Sequence, residues 1–177
     1  VATMIVYYRV GAMDEPPGKS GLAHYFEHLM FKGTKNMAPG EFSRTVARNG
    51  GRDNAFTSQD YTGYVTTFAA DRLDLMLKLE ADRMTGLRLT PEDIAPERRV
   101  VLEERLSRID NNPSAQLSEQ AAAALYANHP YRIPIIGWEH EIKSLNRADL
   151  MAFYRAWYTP NNAVIVISGD VTATNVK

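Results

Sequence analysis

Asp53-Asn54-Ala55-Phe56-Thr57-Ser58-Gln59-Asp60-Tyr61-Thr62-Gly63-Tyr64-Val65-Thr66-Thr67-Phe68 is a strand–turn–strand signal set inside a mostly helical chain. β-branched and aromatic residues crowd both arms, 53–58 and 61–68, on either side of the polar pair Gln59-Asp60. Upstream, residues 3–9 read as a buried strand, and downstream Asn162-Ala163-Val164-Ile165-Val166-Ile167-Ser168 reads as another. The remainder is punctuated as helices. Residues 21–31 follow Ser20, a cap-forming residue, and residues 40–48 are stopped by Asn49-Gly50-Gly51. Further helices are predicted over 71–84, 91–109 and 113–127. A short helical segment follows the Pro-rich turn 129–137, and Asn146 caps a helix over 147–158 that Tyr158-Thr159-Pro160 breaks. The order strand, helices, strand pair, helices, strand predicts an α+β domain with one mainly antiparallel or mixed sheet and helices packed mostly on one face.

The bulk composition narrows the function. A chain of 177 residues, 45% hydrophobic and 23% charged, has the makeup of a globular domain large enough to bury a core. Its net charge of −1 gives no electrostatic footprint for nucleic acid or an anionic membrane surface. It has no run of about 18 apolar residues, so no membrane-spanning helix is expected. It contains no cysteine, which excludes disulfides, thiol catalysis and thiolate metal sites. Any metal site must be built from His, Asp and Glu.

His24 and His28 supply two such ligands. Four residues apart on a predicted helix, they share one face, one turn apart, and two imidazoles so placed can bind one zinc ion. Glu27 borders the same face. In this H-x-x-E-H order the histidines ligate, and the carboxylate between them takes a proton from water and passes it to a leaving amine. The other two histidines are poor ligands: His129 precedes a proline in a turn, and His140 lies between Glu139 and Glu141 at the surface.

A catalytic zinc takes a third protein ligand and keeps one position open. The helix predicted over 91–109 carries Glu97, Glu103 and Glu104. Glu97 and Glu104, seven residues apart, differ by only about 20° around a helix, and Glu103 points away from their stripe. Spacing alone does not choose between these acids.

Four segments together resemble a known family. Gly21-Leu22-Ala23-His24-Tyr25-Phe26-Glu27-His28-Leu29-Met30-Phe31-Lys32-Gly33-Thr34 is similar to the signature of the pitrilysin/insulinase zinc peptidases. Within that family it looks closest to the bacterial relatives of the mitochondrial processing peptidase β subunit. Gly50-Gly51-Arg52-Asp53-Asn54-Ala55-Phe56-Thr57-Ser58 resembles the strand beside the family's site, and Glu97-Arg98-Arg99-Val100-Val101-Leu102-Glu103-Glu104 its third-ligand helix. Tyr158-Thr159-Pro160-Asn161-Asn162-Ala163 through Gly169-Asp170-Val171 resembles the end of its first domain.

The resemblance implies a zinc endopeptidase of unfolded peptides or small proteins. Zn²⁺ would be held by His24, His28 and Glu104, with Glu27 as the base, Glu97 as a supporting acid and Glu103 as the weaker alternative ligand. It implies a substrate added as a β-strand along Asn54, Ala55 and Phe56. It further implies that residues 1–177 form a single N-terminal catalytic domain cut at both ends, whose second half, in the same chain or on a partner, closes a chamber. A non-catalytic scaffold or partner subunit is the alternative within the same family. The similarity to bacterial members leans toward a periplasmic or envelope compartment.

Overall fold

The computed structural model describes residues 1–176. Its four strands, β1 (Ala2–Tyr8), β2 (Arg52–Thr57), β3 (Thr62–Phe68) and β4 (Ala163–Gly169), form one sheet in the order β2-β3-β1-β4. Every pairing is antiparallel. The predicted hairpin is β2–β3, with Thr57 opposite Thr62. The first strand sits in the centre between β3 and the last strand, with Val6 facing Tyr64 on one side and Ile165 on the other.

Alternation along β1 decides which face is covered. Ala2, Met4, Val6 and Tyr8 are fully buried, as are Tyr64 and Phe68 of β3 on the same face. Helices α1 (Leu22–Leu29), α2 (Glu41–Arg48), α3 (Leu73–Gly86), α4 (Pro91–Arg105), α5 (Pro113–Leu125), α6 (Glu139–Ser144) and α7 (Arg147–Trp157) supply the rest of the core, led by Phe26, Leu29, Val46, Met76, Val101, Ile142 and Leu150. The opposite face is open: Val164 and Val166 are exposed there, and Tyr7 makes edge contacts with Phe56 and Tyr61. This is the single sheet with its helices on one side.

Boundaries shift by a few residues where local chemistry differs from propensity. The helix predicted over 91–109 is regular to Arg105, then widens into a π-type turn over Leu106–Asp110. The capping of α7 by Asn146 holds, its side chain accepting from Ala148 and Asp149 N–H. The capping of α1 by Ser20 does not. Gly21 is the N-cap, and the Ser20 hydroxyl instead accepts the Trp138 N–H at 2.8 Å. The amides at the start of α1 are satisfied from a distance. Glu15 accepts from Gly21 N–H at 2.9 Å and Ala23 N–H at 2.7 Å, and Glu141 accepts from Ser20 N–H at 2.7 Å.

One crossing fixes where α1 begins. Gly21 (φ 87) and Gly137 (φ 88) pack backbone against backbone, and a Cβ at position 137 would stand 2.6 Å from the Gly21 Cα. Both the left-handed torsion and the space require glycine. Gly137→Ala should therefore cost about 2–4 kcal/mol of stability, read as a lower denaturant midpoint at unchanged slope; a midpoint equal to the parent's would show that the crossing yields freely.

Candidate metal and active site

α1 and α4 pack against each other and bring the sequence-predicted residues together. One ligand atom from each of His24, His28 and Glu104 lies within 4.8 Å of the others. The Glu104 Oε2 stands 3.2 Å from His28 Nε2 and 3.5 Å from His24 Nε2. Ligands about 2.0–2.1 Å from a tetrahedral zinc ion are themselves roughly 3.3 Å apart, so the donor set already has the spacing a metal would impose. His24 is 7% exposed and its Nδ1 has no hydrogen-bond partner. The donors, two imidazoles and one carboxylate, suit zinc.

The surrounding side chains orient this set. Glu97, about two turns before Glu104 on the same face of α4, accepts from His28 Nδ1 at 2.8 Å, which directs Nε2 of the same ring toward Glu104. Lys32 in turn pairs with Glu97. Arg108 pairs with the outer oxygen of Glu104, Oε1, at 3.0 Å and leaves Oε2 to the histidines. Glu27 lies beside the set and accepts from the Thr57 hydroxyl at 2.6 Å. Glu103 is outside the cluster, as are His129, whose Nδ1 caps Tyr131 N–H, and His140, whose side chain is 80% exposed.

Charge follows this geometry. The hydrogen bond and charge of His24, aided by Arg108 and His28, hold Glu104 down to about 2 against the opposing effect of burial. Burial pulls His28 down, but the Glu97 hydrogen bond and the charges of Glu97, Glu104 and Glu27 outweigh it, so His28 titrates above its ordinary value. Burial lifts Glu97, and the bonds from His28 and Lys32 more than reverse this. Three carboxylates around two imidazoles thus create a strong local demand for a cation.

The site opens on a cleft of about 980 Å³. One wall is the outer edge of β2. Thr57 turns its side chain toward Glu27 and Ala55 shares that face, whereas Asn54 and Phe56 alternate to the other side of the sheet. The Phe56 ring packs there on Tyr7 and Tyr61. The opposite wall is formed by Ile109, Ala115 and Ala122 and the segment 131–136. Sequence reasoning missed Thr57, Lys32 and Arg108 as partners of the acids. Thr57 was open to discovery, since two-residue alternation from Ala55 puts it on the same face. Lys32 and Arg108 each stand four residues from a site residue, a spacing too common on helices to single them out.

The insulinase model (Peptidase family M16) matches residues 1–139, which include every residue of this cluster. The chain belongs to the insulinase family, peptidase family M16. A second model, the Peptidase M16 inactive domain, matches residues 144–177. That stretch contains α7 and β4, which complete the same core and sheet. Among the M16 relatives, zinc protease PqqE of Helicobacter pylori is 42% identical over 171 residues, covering 97% of this chain and 38% of the relative. The crystal structure of a protease from Helicobacter pylori superposes with a TM-score of 0.94 at 41% identity, covering 99% of this chain and 42% of that one. The periplasmic protease PqqL from Escherichia coli gives a TM-score of 0.88 at 25% identity over 98% of this chain and 20% of its own. The chain thus spans well under half the length of these M16 proteins.

The start of the histidine helix offers a test of the local electrostatics. Burial pushes the Glu15 carboxyl up to about 8, against the pull of its two amide N–H bonds. The folded state therefore favours the protonated acid, and stability from this group is complete below the ordinary value of 4.5 and lost as pH rises through about 8. The thermal midpoint should fall between pH 5 and pH 8 more steeply in the parent than in Glu15→Gln, which carries no titrating proton. Identical slopes would exclude Glu15 as the source.

Proposed function

We propose that this chain carries the zinc-peptidase site of a larger M16 protein, an endopeptidase that hydrolyses unfolded peptides or small proteins. The observation that carries the proposal is the convergence of His24, His28 and Glu104, with Glu27 beside them, at the head of a cleft walled by a sheet edge. The naming of PqqE as a zinc protease supports the choice of metal.

In this proposal His24, His28 and Glu104 hold the ion, and Glu97 fixes His28 through Nδ1. Held there, zinc would supply Lewis-acid polarisation of the scissile carbonyl and a lowered pKa for water. Glu27 accepts the proton of the attacking water and returns it to the departing amine. Thr57 holds one oxygen of Glu27 in place and leaves the other free to face the substrate.

β2 is the terminal strand of the sheet, so an extended peptide can add along Asn54, Ala55 and Phe56 by main-chain hydrogen bonds. Ala55 leaves room on the cleft side, and the alternation assigns Phe56 a backbone contribution rather than a side-chain contact. A second, similar half, in the same chain or on a partner, would close the open cleft. The compartment is proposed to be the bacterial envelope, supported by the periplasmic PqqL; among the described residues no helix is long and apolar enough to cross a membrane. A non-catalytic scaffold subunit is the competing proposal. The match to the inactive-domain model favours it only weakly, because residues 144–177 contain none of the site residues.

Glu27→Gln in the full-length protein should keep stoichiometric zinc and lose about 10²–10⁴-fold in kcat/KM toward an unfolded peptide. A chelator should silence the parent. Parent-like cleavage by the variant would remove Glu27 from the mechanism, and a zinc-free parent with no hydrolysis would favour the scaffold.

A further inference from the structure

Arg105 immediately follows Glu104 on α4, yet its side chain leaves the cleft and is 6% exposed. Its guanidinium makes a two-pronged pair with Glu119 of α5, Nη1 to Oε2 at 2.9 Å and Nη2 to Oε1 at 2.8 Å. Nη1 also donates to the carbonyl of Gly137 at 2.8 Å. Gly137 is the residue whose backbone packs on Gly21, and its neighbour Trp138 donates to the Ser20 hydroxyl. A series of short, directional contacts therefore runs from the neighbour of one metal-site residue, Glu104, to the first turn of the helix that carries His24 and His28.

We propose that Arg105 is a positioning residue: through Gly137 and its crossing with Gly21 it sets the distance between the two helices that carry the metal-site side chains. The proposal rests on the zinc-site reading above. A fork held on Glu119 has its plane fixed, so the second N–H of Nη1 can point at one carbonyl only. Gly137 cannot slide along α1, because the adjoining backbones leave no room for a Cβ on either glycine. A metal site tolerates ligand displacements of only about 0.5 Å, and a clamp at this end of the helix pair acts where His24 and Glu104 meet. The His28–Glu97 bond holds the helices farther along α1.

Two variants of the full-length protein separate this role from simple loss of stability. Arg105→Lys keeps the charge but offers a point donor instead of a fork. The double variant Arg105→Met/Glu119→Met removes the buried pair as a unit, frees only the half-exposed Asp110, which lies 3.5 Å from Arg105, and still deletes the bond to Gly137. Arg83→Met serves as the control. Arg83 is 1% exposed, pairs with Glu80 and lies over the Phe42 ring, outside the clamp. The readouts are the zinc dissociation constant of the apoprotein, from competition with a chelator, and the thermal midpoint of the apoprotein.

Arg105→Lys and the double variant should bind zinc about tenfold more weakly or worse, the scale seen when outer partners of a metal site are lost. Arg83→Met should lower the thermal midpoint and keep the parent's zinc affinity. Parent-like affinity in the double variant overturns the proposal, as does an equal loss in Arg83→Met. A parent that binds no zinc overturns the metal reading itself and the clamp with it, an outcome distinct from a parent that binds zinc as tightly as its variants.

Discussion

His24 and His28 on one helix face Glu97 and Glu104 on another across a half-buried space, and the charge gathered there is the constraint on which the rest of the structure depends. A carboxylate oxygen sits 3.2 Å and 3.5 Å from two imidazole nitrogens, while a second carboxylate holds one of those rings from behind. Such a set is costly to bring together without a cation and favourable with one. It is sustained by the partners on its outside: Lys32 on Glu97, Arg108 on Glu104 and Thr57 on Glu27. Each site acid thus has a contact that leaves an oxygen or a ring nitrogen directed inward.

The fold's contribution is to make two helices meet at one height. α1 starts where it does because a glycine crossing permits no other course, and because Glu15 and Glu141 occupy the amides that Ser20 leaves unfilled. Its other face packs through Phe26 and Leu29 into the core over the sheet. α4 is tied to α1 again through Tyr25, whose hydroxyl donates to the Ile94 carbonyl. On the other side, β2 keeps one edge free and presents Ala55 and Thr57 to the same cleft. His24, His28 and Glu27 on α1, Glu104 on α4 and the edge of β2 thereby converge from three elements far apart in sequence.

Much of this is legible in the sequence. The two-residue alternation in 53–68 and the spacing of His24 and His28 carry their own geometry, since each depends on the period of a single element. A single, mainly antiparallel or mixed sheet with helices mostly on one face follows from the order of those elements, and the structure makes every pairing antiparallel. The acids were harder. Glu97 and Glu104 fall on one stripe by helix periodicity, but that α4 turns this stripe toward α1 is a tertiary fact, and only the family resemblance chose Glu104 over Glu103. The capping of α1 was misread because Ser20 has the right local chemistry, and what displaces it lies far away: Trp138 takes its hydroxyl, and Glu15 with Glu141 takes the amides. Arg105 was invisible for the same reason. Its partners, Glu119 and Gly137, are on other elements, and no local pattern points to them.

The central claim is that His24, His28 and Glu104 together hold one zinc ion. Anomalous diffraction at the zinc absorption edge, from crystals of the full-length protein, tests it most directly. The account predicts a single strong peak about 2.0–2.1 Å from one nitrogen of each of the two histidines and about 2.0–2.2 Å from a Glu104 oxygen, with Glu97 still on His28 Nδ1. A peak ligated by Glu103, His129 or His140, or no peak at this cluster in zinc-replete protein, would contradict it.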